Sequence, residues 1–132
     1  MPRTGPITTA AIAIVLVIAA TAVRAAPASK PCLQSGSDQA VVEGRLALQE
    51  GLGPAAFLVM VPAGVCLDAG DGHPRLDEVR AVQVYATSAE GMQDLYRLAG
   101  EKVYVRGRPT GRRAFQQRAP IMMEVLDIAV TK

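Results

Sequence analysis

The sequence is poor in the residues from which catalytic and metal centres are built. Among 132 residues there is one histidine, His73, and there are two cysteines, Cys32 and Cys66. A zinc site made from so few soft ligands falls short of four. The four serines, Ser29, Ser35, Ser37 and Ser88, sit in no nucleophile elbow or other active-site motif. No Walker loop, GxGxxG or HExxH occurs. Aromatic residues make up only 4% of the chain. There is no internal repeat and no low-complexity tract. A protein that is not an enzyme, with no cofactor and no metal, is the expectation from these absences.

Excess charge is missing too, once the chain is divided. The formal net charge of +2 belongs entirely to residues 1–28, which hold Arg3 and Arg24 and no acid. From Ser29 onward 12 basic residues meet 12 acidic ones. A neutral chain is not a generic polyanion binder, because non-specific nucleic-acid affinity needs surplus positive charge. The 50% hydrophobic content excludes a disordered protein.

What is present begins with an export signal over residues 1–28. Arg3 lies in a short n-region, and Ile7 to Val23 follows without a charge. Ala26-Pro27-Ala28 has the A-x-A form that signal peptidase accepts, and Val23-Arg24-Ala25 is a second site of the same kind. The rival reading is an uncleaved membrane anchor. Its apolar run of 17 residues is at the lower limit for spanning a bilayer. Lipid attachment is not expected, since Ser29-Lys30-Pro31 precedes Cys32 where a lipobox wants an aliphatic residue. Cys32 and Cys66 then read as one structural disulfide, suited to a secreted or periplasmic protein. Two buried thiols or half of a metal site are the alternatives.

Residues 29–132 form one domain. Val42, Gly44, Leu46 and Leu48 alternate with polar or small residues, which is the period of a half-buried strand. Gly44 within it suggests a bulge or a sharp bend. Gly51 to Pro54 is a turn. Ala55 to Val61 is a second strand, buried on both faces, interrupted at Pro62 to Gly64 and resumed at Val65 to Leu67. Asp68 to Glu78 is an acidic loop. Val79 to Tyr85 is a third strand, with Val82 and Val84 facing one way. Thr87-Ser88-Ala89-Glu90 matches a capping box with Thr87 as the cap. Met92, Leu95, Tyr96 and Leu98 follow at helical spacing, and Gly100 ends the helix. Val103, Val105 and Gly107 alternate with Tyr104, Arg106 and Arg108 in a fourth strand. Pro109 to Pro120 is a long loop, and Ile121 to Val130 is the fifth strand. Three strands, a helix and two strands give a mainly β protein, a five-stranded OB-fold-like barrel with one helix between strands 3 and 4. A plain α+β sheet is the rival architecture.

The order and spacing of several short pieces resemble a family of small exported bacterial proteins known only as a domain of unknown function. The pieces are Cys32-Leu33, Val42-Glu43-Gly44-Arg45-Leu46, Gly64-Val65-Cys66-Leu67-Asp68, the run from Leu98 to Gly107, and Ala119 to Val125. They match the family's early cysteine, its T-G-T-L-like strand, its P-V-C-V-like element and its L-x-G-K-x-V-x-V-x-G segment. The resemblance spans Cys32 to about Ile128 and implies an OB-like barrel and export. It implies no activity. It also shows a departure: the histidine-rich stretch of the family corresponds here to Gln116, Gln117 and Arg118.

The candidate ligand-binding residues are Tyr104, Arg106, Arg108, Arg112, Arg113, Phe115 and Arg118. From Lys102 to Arg118 there are six basic residues and no acid. Loops between strands 1 and 2 and between strands 4 and 5 border the usual OB ligand face. Arginine, glutamine and an aromatic ring can hold a protein or an oligosaccharide-like ligand. The competing reading is a solvated edge whose charges prevent aggregation. Asp68, Asp71, Asp77 and Glu78 miss the EF-hand spacing and read as a solvated turn that could pair loosely with the arginines. His73 reads as a surface histidine. An exported non-enzymatic OB-fold binding module is the leading expectation. A single-stranded nucleic-acid binder and a purely structural envelope protein are the alternatives, and neutral charge disfavours the first. A hydrolase lacks a constellation.

Overall fold

A computed structural model describes residues 5, 31–51, 53–70, 72–114 and 117–132. The proposed signal segment, apart from Gly5, therefore lies outside the described residues, as do Leu52, Asp71, Phe115 and Gln116. The elements are β1 (Ala40–Gly51), β2 (Gly53–Leu67), β3 (Leu76–Tyr85), α1 (Ala89–Leu98), β4 (Lys102–Thr110) and β5 (Ile121–Val130). The strands close into a barrel in the order β1-β2-β3-β5-β4. Only β3 and β5 run parallel; the other pairs are antiparallel. This is the OB-fold plan, mainly β with its helix between the third and fourth strands.

Period-two alternation places the core. Val42 and Leu46 from β1, Phe57 and Val59 from β2, and Val82 and Val84 from β3 point inward. Val103, Val105, Ile121 and Met123 complete the ring. The helix closes one end by burying Leu95 and Leu98, and the edge of the Tyr96 ring meets the Phe57 ring with centroids 4.9 Å apart. Burying Leu95 and Leu98 stabilises by about 1.5–3 kcal/mol each. The cap is Ser88, one residue beyond the expected Thr87; its hydroxyl accepts from the Gly91 amide at 3.0 Å. Gly100, at φ +90°, stops the helix. Its amide donates to the Leu46 carbonyl at 2.7 Å, which fixes the helix end to β1.

Gly44 is not a bulge, since its register with β4 is unbroken. Ala40 to Arg45 pair with β4, while Arg45 to Gly51 pair with β2. Gly44 stands where the strand changes neighbours. A Cβ there would sit well inside van der Waals contact of the Met60 carbonyl oxygen. Strand β2 runs through Pro62 to Gly64 instead of breaking, but its pairing with β3 jumps from Met60↔Ala81 to Val65↔Val79. The extra β2 residues form a bulge in that register. Strand β3 starts at Leu76 and β4 continues to Thr110, so both flanking loops are shorter than expected.

Cys32 and Cys66 are bonded, with S–S at 2.06 Å. The disulfide sets Leu33 beside the end of β2. The Leu33 amide donates to the Cys66 carbonyl at 2.8 Å, and the Asp68 amide donates to Leu33 at 2.9 Å. No helix among the described residues is long and apolar enough to cross a membrane.

Candidate functional site

The basic residues of β4 and its loop separate into three groups. Tyr104, Arg106 and Arg108 lie on the outer face of β4. Tyr104 is half-buried between Glu43 of β1 and Ala129 of β5. The Arg106 guanidinium donates to the Asp38 carbonyl at 2.8 Å. Arg108 stands 3.6 Å from the Glu124 carboxylate, its partner in register on β5. The structure therefore engages Arg106 and Arg108 within the barrel wall.

Arg118 is a clasp. Its guanidinium donates to the carbonyls of Pro54 at 2.9 Å and Gln49 at 3.4 Å, on the two sides of the β1–β2 turn. Its amide donates to the Gln83 side chain at 2.6 Å. The Arg118 end of the β4–β5 loop is thus held against β2 and β3. Ala56, Leu58 and Gln83 alternate with core residues and point outward, yet all three are buried. In the OB fold this surface ordinarily receives the ligand. Here the protein's own loop covers part of it.

Arg112 and Arg113 form the third group. They are exposed and line a cleft of about 740 Å³ with Arg118, Gln117, Pro120 and the Gly72-His73-Pro74 turn. No carboxylate residue lines it among the described residues. Neither guanidinium makes an ion pair or hydrogen bond among the described residues. Phe115, the aromatic member of the expected set, lies outside them.

His73 is buried, contrary to the expected surface position. Its Nδ1 lies 2.8 Å from the Pro74 carbonyl oxygen and its Nε2 lies 2.6 Å from the Ser35 hydroxyl. A carbonyl only accepts, so Nδ1 donates to Pro74, and Nε2 shares a hydrogen bond with the Ser35 hydroxyl. A Cβ on Gly111 would come within 2.7 Å of the imidazole, so the arginine loop rests directly on the ring. His73 joins the N-terminal segment, the β2–β3 loop and the β4–β5 loop. Sequence reasoning missed this role, and a contact across 38 residues leaves no local signal.

The acidic loop does not pair with the arginine loop among the described residues. Arg75 takes its carboxylates instead: Asp77 at 2.9 Å and Asp68 at 3.9 Å. The Asp77 hydrogen bond and charge raise the Arg75 pKa further above its already high ordinary value. At the far end of β3, burial, helped by the Glu124 charge, raises the Tyr85 phenol pKa above its ordinary 10.0. Among the described residues, no group of three or more His, Cys, Asp or Glu side chains could hold a metal ion.

No family model matches the chain, and no curated protein matches it.

Proposed function

We propose that the chain is an exported, non-enzymatic OB-fold binding module that receives an acidic ligand at the β4–β5 loop. The ligand is an acidic oligosaccharide or an acidic segment of a partner protein. One observation carries the reading: Arg112 and Arg113 stand together at a cleft with no carboxylate residue in its described lining, while Arg106, Arg108 and Arg118 are engaged internally. Guanidinium groups that make no ion pair among the described residues, on a loop carried by a barrel, suit bidentate recognition of carboxylates. Export is supported by the disulfide and by the charge-free apolar run after Arg3. The covered face of β2 and β3 counts against single-stranded nucleic acid, which needs a stacking platform there.

The test compares a polyuronate oligosaccharide and an acidic peptide with a neutral glucan and oligothymidine, by calorimetry at physiological salt. The reading expects one acidic probe to bind. Arg112→Ala/Arg113→Ala should weaken that binding tenfold or more, since hydrogen bonds to charged groups contribute about 1.5–3 kcal/mol. Unfolding of the variant should be unchanged. Equal binding by the variant would overturn the reading, and preference for oligothymidine would transfer it to nucleic acid. Failure of every acidic probe would leave the structural envelope role.

A further inference from the structure

A second cleft, of about 970 Å³, lies on the side of the barrel where β1 and β2 part. The two strands touch backbone to backbone at Gly44 and Met60. Beyond that contact β1 runs toward Ala40 and pairs only with β4. Strand β2 runs toward Leu67, and Val61 to Gly64 have no register partner on either neighbour. The wedge therefore has a strand edge on each side. Its walls include Val42, Val61, Val65, Leu33 and the Cys32–Cys66 bridge.

Two observations say what fits. First, the molecule already pairs another segment with β2 at the end of the wedge far from Gly44. Leu33 forms a parallel bridge with Leu67, through the two backbone hydrogen bonds described above. The next stretch of the same β2 edge faces the open cleft. Second, the lining contains Glu43, Asp77 and Glu78 and, among the described residues, no Lys, Arg or His. Asp77 is shared with Arg75. Glu43 of β1 and Glu78 of β3 make no ion pair among the described residues. An edge supplies backbone donors and acceptors, and flanking carboxylates select the side chains that alternate along an added strand.

We propose that this cleft receives an extended, lysine- or arginine-bearing segment of a partner protein by strand addition between β1 and β2. The site is separate from the arginine cleft and does not depend on its function.

The test uses the full chain with its disulfide intact. Its probe is a labelled ten-residue peptide alternating lysine with valine, followed by fluorescence anisotropy at 150 mM salt. The same peptide with glutamate for lysine should bind at least tenfold more weakly. N-methylation of alternate backbone amides keeps the charge but removes strand donors, and it should also weaken binding at least tenfold. Glu43→Lys/Glu78→Lys, checked for native circular dichroism, should lose binding to the lysine peptide by a similar factor. Arg112→Ala/Arg113→Ala should bind as the native protein does. Undiminished binding of the N-methylated peptide would overturn strand addition, and it needs no protein variant. Peptide binding that competes with self-association in sedimentation would assign the cleft to a second copy. Binding that appears only when residues 1–30 are removed would assign it to the chain's own N-terminal segment. Either result overturns the proposal.

Discussion

Replacing both Cys32 and Cys66 by alanine should make the protein less stable by an amount that can be worked out beforehand. The bridge spans 34 residues. In the chain-entropy model a loop of that length restricts the unfolded chain by about 12–13 cal/mol/K, or roughly 3.7 kcal/mol at 25 °C. Whole domains of this size are stable by only about 5–15 kcal/mol. The native state should change little, because Leu33 keeps its two backbone hydrogen bonds to the end of β2 without the sulfur bridge. The effect therefore belongs to the unfolded chain. Urea unfolding followed by far-ultraviolet circular dichroism measures it. With m near 1–1.5 kcal/mol/M, the midpoint should fall by about 2.5–3.5 M. The melting temperature should fall by roughly 15–25 °C. The slope m should rise slightly, since an open chain exposes more surface. A loss below about 1 kcal/mol would refute the reasoning, because it would mean that the loop constrains little in the unfolded state. A loss above about 6 kcal/mol would place the effect in native packing instead.

Three further outcomes follow from the geometry. Gly107→Ala would drive a Cβ into the Glu124 backbone at the β4–β5 bulge; it should destabilise by about 2–3 kcal/mol in the same urea assay, and a neutral result would mean that the strands separate freely there. Arg118→Ala removes the clasp on the Pro54 and Gln49 carbonyls; it should cost about 1–2 kcal/mol and speed proteolysis between Gly111 and Pro120, which limited trypsin digestion would register. Tyr85 loses its proton later in the folded protein than in the unfolded chain. Its stabilising contribution is therefore present below about pH 10 and is lost as pH rises through the raised folded value. Tyrosinate absorbance in a Tyr96→Phe/Tyr104→Phe background should show a midpoint above 10. Glu124→Gln should lower that midpoint only in part, because burial is the larger cause.

The barrel was legible where local pattern and tertiary environment agree. Val42 to Leu48 and Val79 to Tyr85 alternate because one face of each strand is core and the other is not. Leu95 and Leu98 mark the helix because three residues bring a side chain back to the same face. The capping residue was displaced by one position because Thr87 and Ser88 carry the same functional group, and only the backbone angle distinguishes them. Pro62 and Gly64 signal irregularity in β2 without saying whether the strand breaks or bulges. The candidate site was legible only as a concentration of charge. Which arginines are occupied depends on carbonyls far away in the chain: Arg118 reaches Pro54 and Gln49 across 64 and 69 residues. Arg106 reaches Asp38 across 68. Backbone acceptors exist at every residue, so no side-chain pattern announces such partners.

The disulfide and the closing strands have different positions in time. A chain emerges N-terminus first, and both cysteines lie in its first half. The cross-link can form once Cys66 is available, when only β1 and β2 exist. The β1–β4 and β3–β5 seams must wait for the last 31 residues. For that interval β1 is unpaired over Ala40 to Gly44, and β3 has an open edge over Val82 to Tyr85. The early covalent loop then limits how far the first two strands can wander before their closing partners arrive. A chain ended after Thr110 would keep its bridge and lose the β3–β5 seam, leaving an open sheet with its apolar face in water.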